Sequence, residues 1–409
     1  MKASYFIPLI IIIFIILITD LYAYKGLKSI LNQNISIISS NVFKYSFWSF
    51  SVFIIVIFIA IFISLPFINL AKSYIYIFNL ASFFMIFFFP KLVFINFELI
   101  EDLIYYFLKI FNSDINRFMF ISKTGLVLSI IPFLLFSYGT FFGRFDFKAR
   151  NIDLSFKNLP SNFNNFKIVQ FSDLHIGSLR TNEAKLKKAV DLINSQDADL
   201  IVFTGDLVNN FAEEISGFEP ILKQLKAKYG VYSILGNHDY GDYYTWKSKQ
   251  DKINNFNALI KKEKELNFNL LLNENREITI DSQSISIIGV ENWGMPPFPA
   301  HGDLNKAVVG LNNNNFKILL SHDPTHWEEK VINKTDIDLT LSGHTHGMQF
   351  GIFTDSFKWS PVSLKYPRWG GLYKENEQML YVSTGLGYIG YSGRVGIAPE
   401  IVVITLKSK

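Results

Sequence analysis

The sequence predicts an all-α membrane region of about four helices, followed by an α/β domain with two packed sheets and helices outside them. Long apolar stretches are concentrated in the first 142 residues of a chain that is 49% hydrophobic and 16% aromatic. Near residues 143–159 the composition changes, because charged side chains arrive together. Beyond this boundary, short apolar runs alternate with stretches of helical periodicity and then give way to a strand-rich half, which is typical of an α/β domain.

Four apolar stretches of the N-terminal region approach or exceed the length that a helix needs to cross a bilayer, about 20 residues. The first could instead be a cleaved secretory signal, but no small-x-small cleavage site follows it. We therefore favour four spans, with the lipid bilayer as a partner. The predicted transmembrane region covers residues 1–143, with spans at residues 6–24, 46–68, 74–96 and 124–142.

Residues 97–111 have a different pattern, with apolar residues on one helical face and mostly charged residues on the other. This predicts a separate helix that lies on the membrane surface. The predicted spans carry few ionisable residues, and Lys91 and Glu98 lie near predicted ends. We take this scarcity as an argument against a transporter.

Charge excludes one class of partner but does not orient the membrane region. Basic residues near the span ends number five on one side and six on the other, so the positive-inside rule gives no direction. Residues 151–409 hold 27 basic and 29 acidic residues, and this near neutrality argues against nucleic acid as a partner. The absence of cysteine is compatible with either side of a membrane.

The second region is predicted to contain strands that end in polar motifs. Short apolar runs predict strands, and stretches with helical periodicity between them predict helices. The predicted strands are residues 167–171, 200–204, 231–235, 277–280, 284–290, 317–320, 339–341, 380–383 and 401–406, and the predicted helices are 182–195, 212–228 and 245–265.

Five short strings of metal-ligand residue types follow predicted strands. Each string alone is better explained as a polar cap between strand and loop, but five in this order favour one site. Functional groups gather at the carboxyl ends of parallel strands, and imidazole, carboxylate and amide oxygen suit two divalent transition ions. The pattern points to metal-assisted hydrolysis of a phosphate ester. The strings are Asp173-Leu174-His175, Gly205-Asp206, Gly236-Asn237-His238-Asp239, Ser321-His322-Asp323 and Gly343-His344-Thr345-His346.

The order of these strings resembles that of the calcineurin-like metallophosphoesterases. The segments 343–349 and 384–401 resemble the bacterial membrane-associated branch of that family. The resemblance implies a four-layer αββα sandwich metallophosphoesterase domain over residues 155–409. Together with the spans, it implies a membrane-anchored dinuclear-metal phosphoesterase that hydrolyses a phosphoester or pyrophosphate, which is lipid-linked if the membrane supplies the substrate.

The resemblance also implies roles for individual residues. Two divalent ions, of Mn, Fe, Zn or Co, would lie about 3.5–4 Å apart, and a hydroxide that bridges them would attack phosphorus. His238 would be the catalytic residue that stabilises the transition state or protonates the leaving oxygen. The first ion would be held by Asp173, His175, Asp206 and His346, and the second by Asp206, Asn237, His322 and His344.

Three further residues are expected near the site. Asn209 stands where many family members have a carboxylate, so its amide oxygen is expected to accept the imidazole N–H of His238 and to support general-acid catalysis less well. Asp239 is expected to lie behind the metal ligands, and Arg394 is a candidate phosphate clamp. The aromatic and basic residues 349–374 predict either a loop that completes the core or a flap that touches substrate or membrane.

Several alternatives stay open. One is a UDP-diacylglucosamine pyrophosphatase of lipid A synthesis, which would require a cytoplasmic domain. Another is a cell-envelope phosphodiesterase that acts outside the cytoplasm. A non-catalytic metal-binding membrane sensor would be expected to lose ligands. We expect a multi-pass protein of a bacterial cell membrane, whereas the side of the catalytic domain and the oligomeric state are not determined.

Overall fold

The chain is described by a computed structural model that covers residues 6–34, 40–64, 68–112, 114–180, 182–296, 298, 300–312 and 314–409. It divides into two compact units. The helical unit comprises Met1–Leu70 and Asn79–Tyr138, and the α/β unit comprises Ala71–Phe78 and Gly139–Lys409.

Among the described residues, four helical segments are long and apolar enough to cross a membrane, namely Leu9–Leu31, Asn41–Ser64, Leu70–Phe111 and Phe120–Phe145. The protein is therefore a multi-pass membrane protein, as predicted. Residues 65–67, at the end of the second predicted span, lie outside the described residues. The helices are α1 Phe6–Asn34, α2 Ser40–Ser64, α3 Leu70–Phe111, α4 Phe120–Leu128 and α5 Ile130–Phe141.

The separate surface helix predicted for residues 97–111 is wrong, because this segment is the last part of the continuous helix α3. The arrangement of polar and apolar residues on this segment is also the reverse of that on a helix in water. Glu98 and Glu101 are buried, whereas Ile100 and Phe107 are exposed. An apolar face turned outward suits a helix that is surrounded by hydrocarbon. The helical unit nevertheless contains ion pairs, since Lys91 lies 2.6 Å from Asp20 within the predicted spans and Arg117 lies 3.1 Å from Glu98 outside them.

The α/β unit consists of fourteen strands in its described residues, together with short helices. The strands are β1 Lys148–Phe156, β2 Lys167–Phe171, β3 Leu200–Phe203, β4 Val231–Ser233, β5 Phe268–Leu270, β6 Glu274–Ile280, β7 Gln283–Gly289, β8 Phe316–Leu320, β9 Leu339–Ser342, β10 Ile352–Phe353, β11 Lys358–Trp359, β12 Gly371–Glu375, β13 Gln378–Val382 and β14 Glu400–Ser408. The helices are α6 Glu183–Asn194, α7 Glu219–Leu222, α8 Lys249–Glu265 and α9 Leu304–Ala307.

Twelve of these strands form two six-stranded mixed sheets, in the orders β1-β14-β2-β3-β4-β5 and β12-β13-β9-β8-β7-β6. In the first sheet β14 runs antiparallel to β2, and the strands from β2 to β5 are parallel. In the second sheet β13, β9, β8 and β7 are parallel, with β12 and β6 as antiparallel edges. The pair β10–β11 forms a separate small hairpin.

Three apolar clusters show that the unit has four layers. One cluster lies between the sheets and takes residues such as Ile168 from the first and Ile318 from the second. A second covers the outer face of the first sheet with residues of α6, α7 and α8. A third covers the second sheet with α9 and the turn Trp327–Val331. The predicted αββα sandwich, preceded by apolar helices, is confirmed.

The first two turns of α3 contribute to the core of the α/β unit. Ile75 and Phe78 belong to the cluster on the outer face of the first sheet. The backbone N–H of Ser392 donates to the carbonyl oxygen of Phe78 at 3.2 Å, and the Asn210 side chain donates to the Tyr74 hydroxyl at 2.7 Å. A helix that begins in the α/β unit therefore continues as a candidate membrane span.

Two details differ from the sequence prediction. The helix predicted for residues 212–228 is broken into the 3₁₀ turn Ala212–Ile215 and the short helix α7, because Gly217 between them has a φ of +96°. The strands β1, β5, β10, β11 and β12 were not predicted. Strand β1 begins before residue 155 and pairs along its length with β14.

The carboxyl ends of β2, β3, β4, β8 and β9 all carry polar loops, and the two sheets bring these ends to one edge. Gln170 helps to align the sheets, because its side-chain amide donates to Ser342 O at 2.8 Å and to Thr204 Oγ1 at 3.1 Å. Its burial between the sheets makes these bonds costly to lose.

Glu263 on α8 is a buried acidic group that contacts the strand β4. Its Oε2 accepts a hydrogen bond from Ser233 Oγ at 2.7 Å. Burial, with a further contribution from Asp239, raises the pKa of Glu263 from an ordinary value of 4.5 to about 8. The folded chain therefore keeps this proton at pH values at which the unfolded chain has lost it.

We predict that Glu263→Gln makes the protein less sensitive to rising pH. Between about pH 4.5 and pH 8 the unfolded state loses the Glu263 proton and the folded state keeps it, so this group lowers the free energy of unfolding as pH rises, by at most roughly 5 kcal/mol. Thermal unfolding of both proteins at pH 5 and pH 8 measures the difference. Glu265→Gln, at an exposed position on the same helix, serves as the control. An unchanged pH dependence in Glu263→Gln would contradict the prediction.

Candidate metal centre

The seven side chains predicted to bind metal all lie in loops at the shared edge of the two sheets. Three strands of the first sheet and two of the second supply them. Asp173 and His175 follow β2, Asp206 follows β3, Asn237 follows β4, His322 follows β8, and His344 and His346 follow β9.

Three of these side chains form a first cluster. Asp173, His175 and His346 offer ligand atoms that lie within 4.8 Å of one another. His346 Nε2 is 3.0 Å from His175 Nε2 and 3.3 Å from Asp173 Oδ1. All three residues are buried.

A second cluster lies beside the first. The ligand atoms of Asp206, His322 and His344 also lie within 4.8 Å of one another. His322 Nε2 is 3.2 Å from Asp206 Oδ2 and 3.3 Å from His344 Nδ1. Asn237 Oδ1 joins this cluster, at 2.8 Å from His344 Nδ1 and 3.1 Å from His322 Nε2.

Asp206 faces both clusters. Besides its contact with His322, its Oδ2 lies 3.6 Å from His175 Nε2 in the first cluster. Its other oxygen, Oδ1, accepts the backbone N–H of His238 at 2.8 Å. One carboxylate is thus held between two groups of imidazoles.

The chemistry of the donors fits bound cations. Imidazole nitrogens face each other at 3.0 Å in the first cluster and at 3.3 Å in the second, and a neutral imidazole has only one N–H. Such contacts require a proton or a cation between the lone pairs. Burial lowers the pKa of His175 and of His344, which favours the neutral form that binds metal.

The pKa of His322 shows where positive charge is needed. Burial acts to lower it, but the carboxylates of Asp206 and Asp173 raise it to about 10. The pKa of Asp206 lies well below its ordinary value, because the effect of His322 outweighs burial. A divalent ion at this place would supply the charge that a protonated His322 supplies here.

Backbone strain is concentrated on the ligands. Five of the predicted ligands have a positive φ, a conformation that costs energy for residues other than glycine. The surrounding contacts must hold these loops in place, and such strain is typical of functional sites. The residues and their φ values are Asp173 at 53°, His175 at 44°, Asp206 at 62°, His344 at 77° and His346 at 52°.

Two motif glycines allow close approach. A Cβ on Gly343 would lie 2.0 Å from Ser172 Oγ, and one on Gly236 would lie 2.2 Å from Asp206 Oδ1. Neither position has room for a side chain. The glycines of the Gly-Asn-His-Asp and Gly-His-Thr-His strings therefore let neighbouring ligand loops touch.

Asp239 lies behind the ligands and holds their loops. Its carboxylate accepts the backbone N–H of Asp206 at 2.9 Å and of Gly236 at 2.9 Å. It also accepts those of Leu207 at 2.9 Å and Val208 at 3.2 Å. One buried side chain thus fixes the loops after β3 and β4 together.

His238 lies next to both clusters but belongs to neither of them. Its ring lies 4.9 Å from that of His175 and packs on Tyr243 at 4.3 Å, measured between ring centroids. Its Nδ1 lies 2.8 Å from the backbone carbonyl oxygen of Asn209. Nδ1 is therefore the donor to this carbonyl, and Nε2 is the nitrogen that can interact with a substrate.

The expectation that the Asn209 side chain orients His238 is wrong, since the backbone carbonyl of Asn209 makes that contact. Its Nδ2 instead donates to Glu214 Oε2 at 2.8 Å. Glu214 also accepts the backbone N–H groups of Asn209, Asn210 and Phe211 at 2.8–2.9 Å, which holds the Asn209 side chain away from the imidazole. Burial raises the pKa of Glu214.

Arg394 is only 2% exposed and lies behind His346. Its Nη2 donates to Thr384 O at 2.9 Å and to Gly387 O at 2.6 Å, and lies 3.5 Å from His346 Nδ1. Burial lowers its pKa to about 10. These contacts favour a positioning role for Arg394. Direct contact with phosphate stays a prediction.

Three residues that support the ligands were not singled out from the sequence. Tyr243 Oη accepts a hydrogen bond from Asn237 Nδ2 at 2.7 Å, which turns Oδ1 of the amide toward the second cluster. Tyr366 Oη lies 2.9 Å from His344 Nε2, and Asp323 Oδ2 lies 3.6 Å from the same nitrogen. Of these three residues, only Asp323 could have been identified from the sequence, because it directly follows His322 in the motif.

The aromatic segment 349–374 serves partly as core. Tyr366 and Trp369 are buried and pack with Ile397, whereas Phe357 and Trp359 are exposed. The remaining histidines lie outside the two clusters. His326 Nδ1 is 2.8 Å from Ser321 Oγ, and His301 stacks on Tyr240 at 4.2 Å.

Known protein families match segments in both units of the chain. A family model described as calcineurin-like phosphoesterase matches residues 166–348, and one described as probable calcineurin-like phosphoesterase, transmembrane domain, matches residues 3–144. The uncharacterized metallophosphoesterase YkuE of Bacillus subtilis is 33% identical over 258 residues, which cover 61% of this chain and 82% of that protein.

Two other relatives are matched over only part of their length. The transmembrane protein with metallophosphoesterase domain of Danio rerio is 30% identical over 290 residues, covering 70% of this chain and 63% of the relative. The uncharacterized metallophosphoesterase Cj0846 of Campylobacter jejuni is 31% identical over 264 residues, covering 64% of each. The chain thus spans less than two thirds of the length of these two relatives.

We predict that Asn209→Asp destabilises the protein and brings no gain on substrates with poor leaving groups. The new carboxylate would face Glu214 Oε2, which Asn209 Nδ2 contacts at 2.8 Å. An uncompensated buried charge costs roughly 3–5 kcal/mol, so the melting temperature should fall.

Asn209→Ala, which loses the donor without adding charge, is the control and should lose less stability. Asn209→Asp combined with Glu214→Gln should recover part of the loss, because the repulsion is removed. Full stability of Asn209→Asp, or faster hydrolysis of alkyl phosphates by it, would show that the Asn209 environment is misassigned.

We predict that Tyr243→Phe weakens metal binding at the second cluster about 10–100-fold, because Asn237 loses the acceptor that orients its amide. Titration with Mn²⁺, followed by calorimetry, measures the affinity of each site. Tyr244→Phe is the matched control, since its hydroxyl lies outside the ligand contacts. Equal affinities in Tyr243→Phe and the unaltered protein would refute the role of this hydrogen bond.

Proposed function

Because this chain belongs to the calcineurin-like metallophosphoesterase family, we propose that it is a membrane-anchored dinuclear-metal phosphoesterase that acts on a lipid-linked phosphoester or pyrophosphate. One observation carries the dinuclear centre. Asp206 lies between two clusters of metal-ligand side chains, at 3.2 Å from His322 and 3.6 Å from His175. A shared carboxylate is what two adjacent ions require.

The donor sets indicate which residues would hold the ions. Asp173, His175, Asp206 and His346 would hold the first, and Asp206, Asn237, His322 and His344 would hold the second. Imidazole and oxygen donors without thiolate suit Mn, Fe, Zn or Co. When bound, the ions would supply a nucleophile from water at neutral pH and neutralise charge on the phosphate.

His238 would move the proton. The Asn209 carbonyl holds Nδ1, so Nε2 would face the leaving oxygen of a phosphate at the two clusters. A protonated ring would donate from Nε2 as that oxygen departs. Asp239 and Tyr243 would act indirectly, by holding the ligand loops and the Asn237 amide.

A contact within the α/β unit supports a substrate presented by the membrane. Asn210, next to the residue that holds His238, donates to Tyr74 on the first turns of α3. The loop around His238 thus contacts a helix that is long and apolar enough to cross a membrane. A loop that contacts such a helix beside His238 is consistent with a substrate whose phosphate lies at a membrane surface. We further propose that this membrane is a bacterial cell membrane, which the resemblance to YkuE and Cj0846 supports.

A comparison of substrates in the bilayer and in solution tests this function. The full chain, loaded with Mn²⁺ in lipid nanodiscs, is assayed with a soluble phosphomonoester, a soluble phosphodiester, a long-chain lipid pyrophosphate and the short-chain, water-soluble analogue of that pyrophosphate. We predict phosphate release from the lipid at least about tenfold faster, in kcat/KM, than from its short-chain analogue, because the bilayer concentrates the lipid at the site.

Asp206→Asn is the control and should abolish hydrolysis of every substrate, since it weakens the ligand that both clusters share. Hydrolysis of the two pyrophosphates at equal rates would remove the case for a lipid. No hydrolysis by the metal-loaded protein of any of these compounds would contradict the phosphoesterase itself.

A further inference from the structure

The small hairpin β10–β11 of the α/β unit turns an apolar face outward. Ile352 and Trp359 lie directly opposite each other in this antiparallel pair, so their side chains share one face. They are 49% and 48% exposed, and Phe357, which precedes β11, is 56% exposed. These three side chains form the apolar hairpin face. A hairpin on a surface in water normally turns its polar side outward.

The opposite face of the hairpin is fixed to the α/β unit. Phe353 packs against Trp369 with 5.4 Å between ring centroids. Its partner Lys358 turns back to the unit, where Nζ donates to Gly370 O at 2.9 Å and lies 3.7 Å from the centroid of the Tyr373 ring. The hairpin is thus held in one orientation, with its lysine turned toward the unit and its apolar side chains turned away from it.

A short segment of the α/β unit, residues 392–395, contacts two candidate membrane spans. The backbone N–H of Ser392 donates to Phe78 O at 3.2 Å, and that of Arg394 donates to Gly139 O at 3.1 Å. Phe78 and Gly139 belong to the α/β unit, and each lies near the end of a candidate span. Because a chain leaves the bilayer where a span ends, this segment is expected at a membrane surface.

The hairpin is bonded to the same segment. Gly351, directly before β10, donates its backbone N–H to Val395 O at 3.0 Å. The apolar hairpin face therefore begins one residue beyond a contact with this segment. Further aromatic side chains are exposed where the last candidate span ends, since Phe141 and Phe142 are 64% and 65% exposed.

The acidic residue of the hairpin does not carry an uncompensated charge. Asp355 lies in the turn between the two strands, and its Oδ1 is 3.0 Å from Arg150 Nη1. This ion pair neutralises the carboxylate, which would otherwise oppose contact with an apolar phase.

We propose that the apolar hairpin face docks on the lipid bilayer, with Ile352, Phe357 and Trp359 inserted at the level of the headgroups. Contiguous exposed apolar side chains mark interaction surfaces, and tryptophan favours the membrane–water interface. The occupant is the bilayer rather than a second copy of the chain, because the hairpin is bonded to the segment that contacts two candidate spans. The proposal is independent of the phosphoesterase function and is tested without a substrate.

A fluorophore at the tip of the hairpin tests the proposal on the full-length protein. The sequence has no cysteine, so Phe357→Cys takes up a single nitrobenzoxadiazole label. The labelled protein is placed in phosphatidylcholine nanodiscs, with and without a lipid that carries a doxyl quencher near the headgroup end of its acyl chain. We expect emission at shorter wavelength, and quenching about fivefold stronger than in Val309→Cys with the same label. Val309, 73% exposed shortly after α9, is the matched control.

A second variant tests the face itself. Ile352→Glu combined with Trp359→Glu, in the labelled Phe357→Cys protein, should reduce quenching to the level of the control, because charged side chains resist insertion. Both side chains are exposed, so the melting temperature should stay close to that of the parent. Val309→Glu in the same labelled protein should leave the quenching unchanged. The comparison of the two labelled positions does not depend on the folding of the double variant.

Three outcomes would overturn the proposal. One is equal quenching of the labels at positions 357 and 309. Another is strong quenching that persists in the folded double glutamate variant. The third is emission at shorter wavelength without quenching by the doxyl lipid, because a protein surface, such as that of a second copy of the chain, would then cover the hairpin.

Discussion

The carboxylate of Asp206 is the point on which the metal-ligand edge of the α/β unit is organised, since three buried histidines, the half-buried His344 and a second carboxylate converge around it. Without positive charge, such a group of acceptors would repel itself and would not stay buried. The elevated pKa of His322, to about 10, reflects this demand. The fold meets the demand by bringing the carboxyl ends of five strands from two sheets to one edge, so that no single loop has to supply all ligands.

The supporting structure is devoted to keeping strained loops in place. Five ligands have a left-handed backbone, and two motif glycines let adjacent loops approach within distances that a Cβ would prevent. Asp239 gathers four backbone N–H groups from two of these loops. A ligand geometry that is unfavourable locally is thus stabilised by hydrogen bonds one layer behind it, and this arrangement preorganises the site.

Nine of the strands and the clustering of the candidate ligands could be predicted because their signals are local: an apolar run followed by Asp, Asn or His at the end of a strand. The partner of His238 could not, since a backbone carbonyl contact leaves no trace in residue type and the Asn209 side chain is drawn to Glu214. Tyr243 and Tyr366 contact the candidate ligands from irregular loops, which have no helical or strand periodicity that the sequence could show. Residues 97–111 were misread because, in lipid, the apolar face of a helix turns outward and its acidic face turns inward.

The first two turns of α3 have a practical consequence for anyone who wishes to isolate the α/β unit. Ile75 and Phe78 fill part of the apolar layer over the first sheet, and they come from a chain segment about 60 residues ahead of the rest of that unit. A shortened polypeptide that starts after the last candidate membrane helix would lack these two side chains. The apolar surface that they cover on the first sheet would then be exposed to water. To keep such a polypeptide soluble, the first two turns of α3 would have to be attached to it again. Alternatively, the apolar residues that contact these turns would have to be replaced by polar ones.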